Sequence, residues 1–154
     1  MRVDEILAAG AVKHSGRASS KKRLFSDLAQ IAHDAYGIDA DGAFQALQDR
    51  EGLGPTGVGE GVALPHARLP GLEAVRGVFV RLDAPLDFDA ADRRPVDVIF
   101  ALFAPEAAGV AHLKALALVS RTLRDQALLQ KLRANGDPHV LHTLLTEARG
   151  AEAA

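Results

Sequence analysis

Apolar residues along this chain repeat at two different periods, and the switches between them divide it into helices and strands. From Ser19 or Ser20 onward, Leu24, Leu28, Ile31 and Ala35 recur at the spacing of one helix face. A serine cap in front and Gly37 behind predict a helix of about four turns. Asp39 or Asp41 opens a second helix through Phe44 and Leu47, which would deliver Arg50 and Glu51 at its C-terminal end. The period then changes. Val62–Leu64, Val75–Leu82 and Val96–Phe103 read as strands, and the last is nearly continuous in apolar side chains, as a central strand covered on both faces should be. Pro85 and Pro95 punctuate the connection between the second and third of these. Helical spacing returns after Pro105 with Leu113, Leu116, Val119 and Leu123. A short helix with Leu128, Leu129 and Leu132 ends at Asn135-Gly136, and Asp137-Pro138 caps a last one carrying Val140, Leu141, Leu144 and Leu145. The first 18 residues offer only a short apolar turn around Ile6-Leu7 and a polar connection, and residues 150–154 are small and expected to fray. Strands interspersed with helices, without an internal repeat, predict an α/β fold: a single-domain sandwich of a mixed β-sheet flanked by helices.

Size and composition fit that picture and narrow the partners. A chain of 154 residues is long enough for one domain, 1–154, with its core from about residue 5 to about residue 147. Charged residues at 25% and hydrophobic ones at 48% are globular values, and a formal net charge of −2 gives no electrostatic reason to expect nucleic acid or an anionic membrane. The absence of cysteine excludes disulfides and thiolate chemistry and fits a reducing compartment. Met1-Arg2-Val3-Asp4-Glu5 has acidic residues where a signal peptide needs basic ones, and no apolar run approaches the length of a membrane span. The expectation is a cytoplasmic protein with no membrane insertion.

The chemistry concentrates between Arg50 and Arg68. Gly52, Gly54, Gly57, Gly59 and Gly61 let the backbone approach a ligand closely, and successive N–H groups in such turns make an anion-binding nest. Pro65 fixes its own φ and pushes Leu64 towards extended geometry, so His66 is presented from a stiff strand end. Arg50 and Arg68 bracket the segment and supply planar, charge-assisted donors suited to phosphoryl oxygens. These residues together suggest a histidine that carries a phosphoryl group.

The order Arg50-Glu51, a turn containing Gly54-Pro55-Thr56-Gly57, then Gly61-Val62-Ala63-Leu64-Pro65-His66 resembles the phosphorylation-site signature of the IIA domains of the phosphoenolpyruvate-dependent phosphotransferase system, fructose/mannitol family. Ser20-Lys21-Lys22-Arg23, Val78-Phe79-Val80, Phe88-Asp89-Ala90, Pro95-Val96-Asp97 and His112-Leu113 resemble its nitrogen-regulatory branch, so the likeness runs from roughly residue 5 to roughly residue 145. Three positions depart from that branch: Pro55 stands where it usually has Ser, Glu60 where it usually has Asn, and Ala67 where it usually has Gly. Glu60 is similar to the mannitol type. The resemblance implies a mannitol-IIA-like fold and His66 as phosphoacceptor through Nε2, with no metal and no organic cofactor. It implies a second active-site histidine at His112, and phosphate contacts from Arg50, Thr56, Gly57, Gly59 and Arg68. Glu60 is either an ordinary turn carboxylate or the acceptor that selects the His66 tautomer. The implied partners are an upstream enzyme I, an HPr-like phosphocarrier protein as donor, and regulatory targets such as potassium-transport or sensor-kinase components. Two other functions fit the same residues: a sugar-specific IIA component passing phosphate to a IIB domain, and a non-catalytic anion-binding module.

Other polar clusters carry less. Lys21-Lys22-Arg23 reads as a solvated helix face or a contact for an acidic partner, and His139 and His142 lack the neighbouring ligands a metal needs. Phe25, Phe44, Phe79, Phe100 and Phe103 read as core, and Val58, Leu64 and Leu69 as apolar contacts for a partner beside His66.

Overall fold

The computed structural model describes residues 1–147; the fraying expected at residues 150–154 lies outside them. In chain order it contains α1 (Val3–Ile6), a 3-10 turn at Ala9–Ala11, β1 (Val12–Ser15), α2 (Lys21–Tyr36), α3 (Ala40–Gly52), β2 (Gly57–Gly59) and β3 (Val62–Ala63). There follow β4 (His66–Leu69), β5 (Arg76–Leu86), β6 (Val96–Pro105), α4 (Val110–Thr122), α5 (Gln126–Arg133) and α6 (Pro138–Thr146).

β6 is the axis of the molecule. All its residues except Asp97 and Pro105 are buried, and because successive side chains point to opposite faces, the sheet must be covered on both. β5 runs antiparallel along one edge of β6, with β1 parallel to β5 beyond it. Along the other edge β3 and β4 follow one another, both parallel to β6, and β2 returns antiparallel on β3. The predicted mixed sheet flanked by helices is thus the architecture found. α2 packs on α3 and β5, α3 on β4, α4 on β6, and α6 on β1 and α5.

The local signals explain these boundaries. Ser20 Oγ accepts the Arg23 N–H at 3.0 Å to start α2, and Gly37 ends it at φ 72°. Asp39 caps α3 through the Gly42 N–H. Asp137 caps α6 with Pro138 in its first turn. Phe25, Phe79, Phe88, Phe100 and Phe103 are fully buried, each contributing roughly 2–3 kcal/mol of apolar burial. Among the described residues no helix is long and apolar enough to cross a membrane.

Four elements differ from the sequence expectation. Val12–Ser15 forms a strand where a polar connection was expected; it is held by pairing with Phe79–Leu82 of β5, a partner too distant in sequence for local pattern to report. Gly57–Gly59 pairs as β2 instead of forming an open turn, and β4 is a strand of its own after Pro65. β5 runs through Pro85 to Leu86, which is tolerated because the ladder with β6 shifts register between Arg81 and Leu86. Leu113, counted among the apolar markers of α4, is 65% exposed, and Phe44 is only half-buried.

Candidate functional site

Three separate elements bring Arg50, His66 and His112 together. Arg50 lies in the last turn of α3, His66 opens β4, and His112 lies in the first turn of α4. Val62 faces Val98 and His66 faces Leu102 on β6, so the register is unchanged across Leu64-Pro65 and the interruption only removes ladder bonds. Pro65 has no N–H to donate, but its carbonyl still accepts the Leu102 N–H at 2.9 Å. His66 is thereby fixed at the start of a strand already anchored to the central one.

The hydrogen bonds of His66 define its tautomer. Its Nδ1 lies 2.9 Å from the Leu64 carbonyl oxygen, which can only accept, so Nδ1 carries the proton. Nε2 then bears the lone pair, and it accepts from Arg50 Nε at 3.2 Å. Arg50 Nη1 donates to the Gly54 carbonyl at 3.0 Å, fixing the guanidinium plane. Burial, first, and the Arg50 cation push the His66 pKa below the ordinary imidazole value, against the opposing Leu64 hydrogen bond and Glu51 carboxylate. The ring is therefore neutral and nucleophilic at Nε2 near neutral pH.

His112 stands edge-on to His66, with ring centroids 5.5 Å apart and planes at 90°. It is buried, and its Nδ1 has no hydrogen-bond partner. Burial, followed by His66 and Arg68, lowers its pKa as well. A cleft of about 650 Å³ opens over the pair, lined among others by Arg50, His66, Arg68, His112 and the apolar Leu53 and Leu113. Arg68 is exposed on β4. The cleft thus offers a nucleophilic nitrogen, two guanidinium groups and a second imidazole, a set suited to a tetrahedral anion.

The other expected phosphate ligands fall elsewhere. Thr56 is buried, and both its hydroxyl (2.6 Å) and its N–H (3.1 Å) are given to the Glu51 carboxylate. Gly57 and Gly59 belong to β2, and neither lines the cleft; Gly57 packs so closely on Ala90 that an added Cβ would stand 2.8 Å from it. The glycines serve the β2–β3 hairpin and its contacts, and the expected nest over His66 does not form from them. Glu60 does not select the tautomer: its carboxylate accepts from exposed Arg94 at 2.8 Å, and the Leu64 carbonyl fills the position assigned to it. Leu64 and Leu69 are buried and Val58, though exposed, does not line the cleft, so the apolar surface there is instead Leu53, 86% exposed, and Leu113. Three of the remaining histidines have local roles: His14 pairs with Asp83, while His33 and His142 bond to the carbonyls of Ile38 and Leu7.

Sequence reasoning passed over Leu53 and the part-buried pair Lys21–Glu51. Leu53 had a signal, since an apolar residue between two glycines belongs to no periodic face. Lys21 had none, because its partner lies 30 residues away.

Known proteins sharpen the reading. Residues 5–148 match the family model "Phosphoenolpyruvate-dependent sugar phosphotransferase system, EIIA 2". A nitrogen regulatory protein of Bradyrhizobium diazoefficiens is 44% identical over 145 residues, covering 94% of this chain and 95% of that one. The crystal structure of nitrogen regulatory protein IIA-Ntr from Neisseria meningitidis superposes with a TM-score of 0.86 at 33% identity, over 94% of this chain and 99% of that one. IIA mannitol of Escherichia coli shares the fold at a TM-score of 0.74 and 19% identity, over 89% and 97% of the two chains. Arg50, His66 and His112 thus meet within a chain that belongs to the EIIA type 2 family of the phosphoenolpyruvate-dependent phosphotransferase system.

Proposed function

We propose that this chain is the phosphohistidine carrier of a nitrogen-type phosphotransferase system, working in the cytoplasm, with His66 as its phosphoacceptor. The observation that carries the reading is the His66 tautomer: Nδ1–H is committed to the Leu64 carbonyl, leaving the Nε2 lone pair facing the cleft groups. Nε2 attacks the phosphorus of a phosphohistidine on an HPr-like protein, which enzyme I charges from phosphoenolpyruvate. One N–P bond forms as the donor's N–P bond breaks, and the donor imidazole leaves with the electron pair. Arg50 turns from Nε2 to the phosphoryl oxygens, joined by Arg68 and by His112. The phosphorylated ring keeps its Nδ1 proton and is formally cationic, a charge that the Leu64 carbonyl dipole stabilises.

Regulation follows from the same surface. Leu53 and Leu113 give a partner apolar contacts beside His66, and phosphorylation adds about −1.5 to −2 charges there at neutral pH. Desolvating that anion is costly, so a regulatory target binds the free form and the phosphate releases it. The name carried by the Bradyrhizobium and Neisseria relatives supports nitrogen regulation over sugar transport. The test is intact-mass analysis after incubation with phosphoenolpyruvate, enzyme I and the HPr-like carrier. Wild type should gain one acid-labile phosphoryl group and His66→Ala none; label persisting on His66→Ala removes His66 from the role.

A further inference from the structure

Glu51 follows Arg50 in sequence yet does not line the cleft, and its side chain is only 8% exposed. Three donors converge on its carboxylate: Thr56 Oγ1 at 2.6 Å on Oε1, and the Thr56 N–H at 3.1 Å and Lys21 Nζ at 2.9 Å on Oε2. Lys21 is itself held, donating to the Phe88 carbonyl at 3.1 Å and lying 4.8 Å from the centre of the Phe88 ring.

Two paths lead from this node to the cleft. Glu51 and Thr56 close the loop between them, and inside it the Gly54 carbonyl receives Arg50 Nη1. The Thr56 carbonyl accepts the Leu64 N–H at 3.0 Å, and the Leu64 carbonyl in turn receives His66 Nδ1. One carboxylate therefore fixes the peptide groups that orient both the guanidinium and the imidazole. An ion pair withdrawn this far from water adds little net stability over an apolar pair of equal volume, because desolvation cancels much of its attraction. Stability alone is thus a poor account of Lys21–Glu51.

We propose that Glu51, neutralised by Lys21, is a positioning residue that aligns Arg50 and His66 for phosphoryl transfer. This rests on His66 being the phosphoacceptor. Misplacement by about 1 Å costs on the order of a hundredfold in rate, so partial loosening in Lys21→Met should lower the maximal rate about tenfold or more. The donor concentration giving half that rate should not move, since Lys21 lies off the cleft. The His66 titration followed by NMR should shift upward in Thr56→Val, where both charges remain and only the hold on Arg50 is loosened, and Lys21→Arg should keep the rate that Lys21→Met loses. If Lys21→Met does not fold, Thr56→Val, which keeps the ion pair but removes the hydroxyl, carries the same test. An unchanged maximal rate, an unchanged His66 titration, or no rescue by Lys21→Arg overturns the proposal. The titration needs no phosphoryl donor, so it decides the role of Glu51 even if wild type takes no phosphate, an outcome that counts against the proposed function instead.

Discussion

Arg50→Ala removes both the Nε donor on His66 Nε2 and the Nη1 donor on the Gly54 carbonyl. In the transition state, a guanidinium turned onto the phosphoryl oxygens supplies about 3 kcal/mol, the loss usually seen when one preorganised donor is deleted. Not all of this reaches the rate. Resting Arg50 already donates to the lone pair that must attack, and that bond, worth about 1 kcal/mol net, is broken on the way. The difference of about 2 kcal/mol corresponds to a roughly thirtyfold fall in maximal rate. A smaller effect runs the other way, because the Arg50 cation depresses the His66 pKa and its loss makes the ring more basic. Rapid-quench measurement of transfer from the phosphorylated HPr-like carrier, at saturating donor, reads the net result. Arg50→Lys should fall between, since an ammonium supplies charge without the planar fork. A folded Arg50→Ala transferring within about twofold of wild type, or faster, would refute the assignment, because stabilisation by Arg50 would then not exceed what the resting contact already provides.

Four further outcomes follow from the structure. The competent form of His66 is neutral and its pKa lies below the ordinary imidazole value of about 6.5, so transfer should stay flat from pH 7 to below 6.5 and fall only through the lowered pKa; in Arg50→Ala the fall should move to higher pH. By the same linkage, the folded-state pKa values of His66 and His112 are depressed, so their contribution to stability is complete above about pH 6.5 and lost as pH drops through those values; urea titrations of His66→Gln/His112→Gln should show less acid sensitivity there. Gly61→Ala should cost on the order of 1–3 kcal/mol in urea unfolding, since Gly61 has φ 78° and an added Cβ would stand 2.5 Å from Arg133 Nη2, which is itself bound to Asp97. Glu60→Asn should leave the transfer rate within about twofold and stability within about 1 kcal/mol, as it removes only the exposed pair with Arg94; abolished transfer would return Glu60 to the site.

What could be read in advance was what the chain encodes locally. Caps such as Ser20, Asp39 and Asp137 act within a few residues, and the apolar run from Val96 needs no partner to declare itself central. Arg50 and His66 were legible together because one helix end and one strand start flank a single glycine-rich connection. β1 and the Lys21–Glu51 pair were not, since each is defined by a contact far along the chain. Thr56, Gly57 and Gly59 were misassigned for a related reason. A glycine-rich turn is compatible with an anion nest and with a tight hairpin, and only the packing against Ala90 and the capture of Thr56 by Glu51 decide for the hairpin. Of the two roles left open for Glu60, its exposed pair with Arg94 favours the ordinary turn carboxylate.

A carrier must give up what it accepts, and the partners of His66 are matched to that requirement. Had a carboxylate held Nδ1–H, its full charge would stabilise the cationic phosphoimidazole strongly and make onward transfer slow. The Leu64 carbonyl is a dipole, enough to fix the tautomer and no more. Burial, the leading cause of the lowered pKa, makes the imidazole a slightly weaker nucleophile but an equally better leaving group. On the proposed function Arg50 would contribute at both ends of the cycle, meeting the phosphoryl oxygens on arrival and re-forming its bond to the Nε2 lone pair as the group departs. On that proposal the cleft would be balanced between acceptance and release, which is what distinguishes a relay from a site that traps its phosphate.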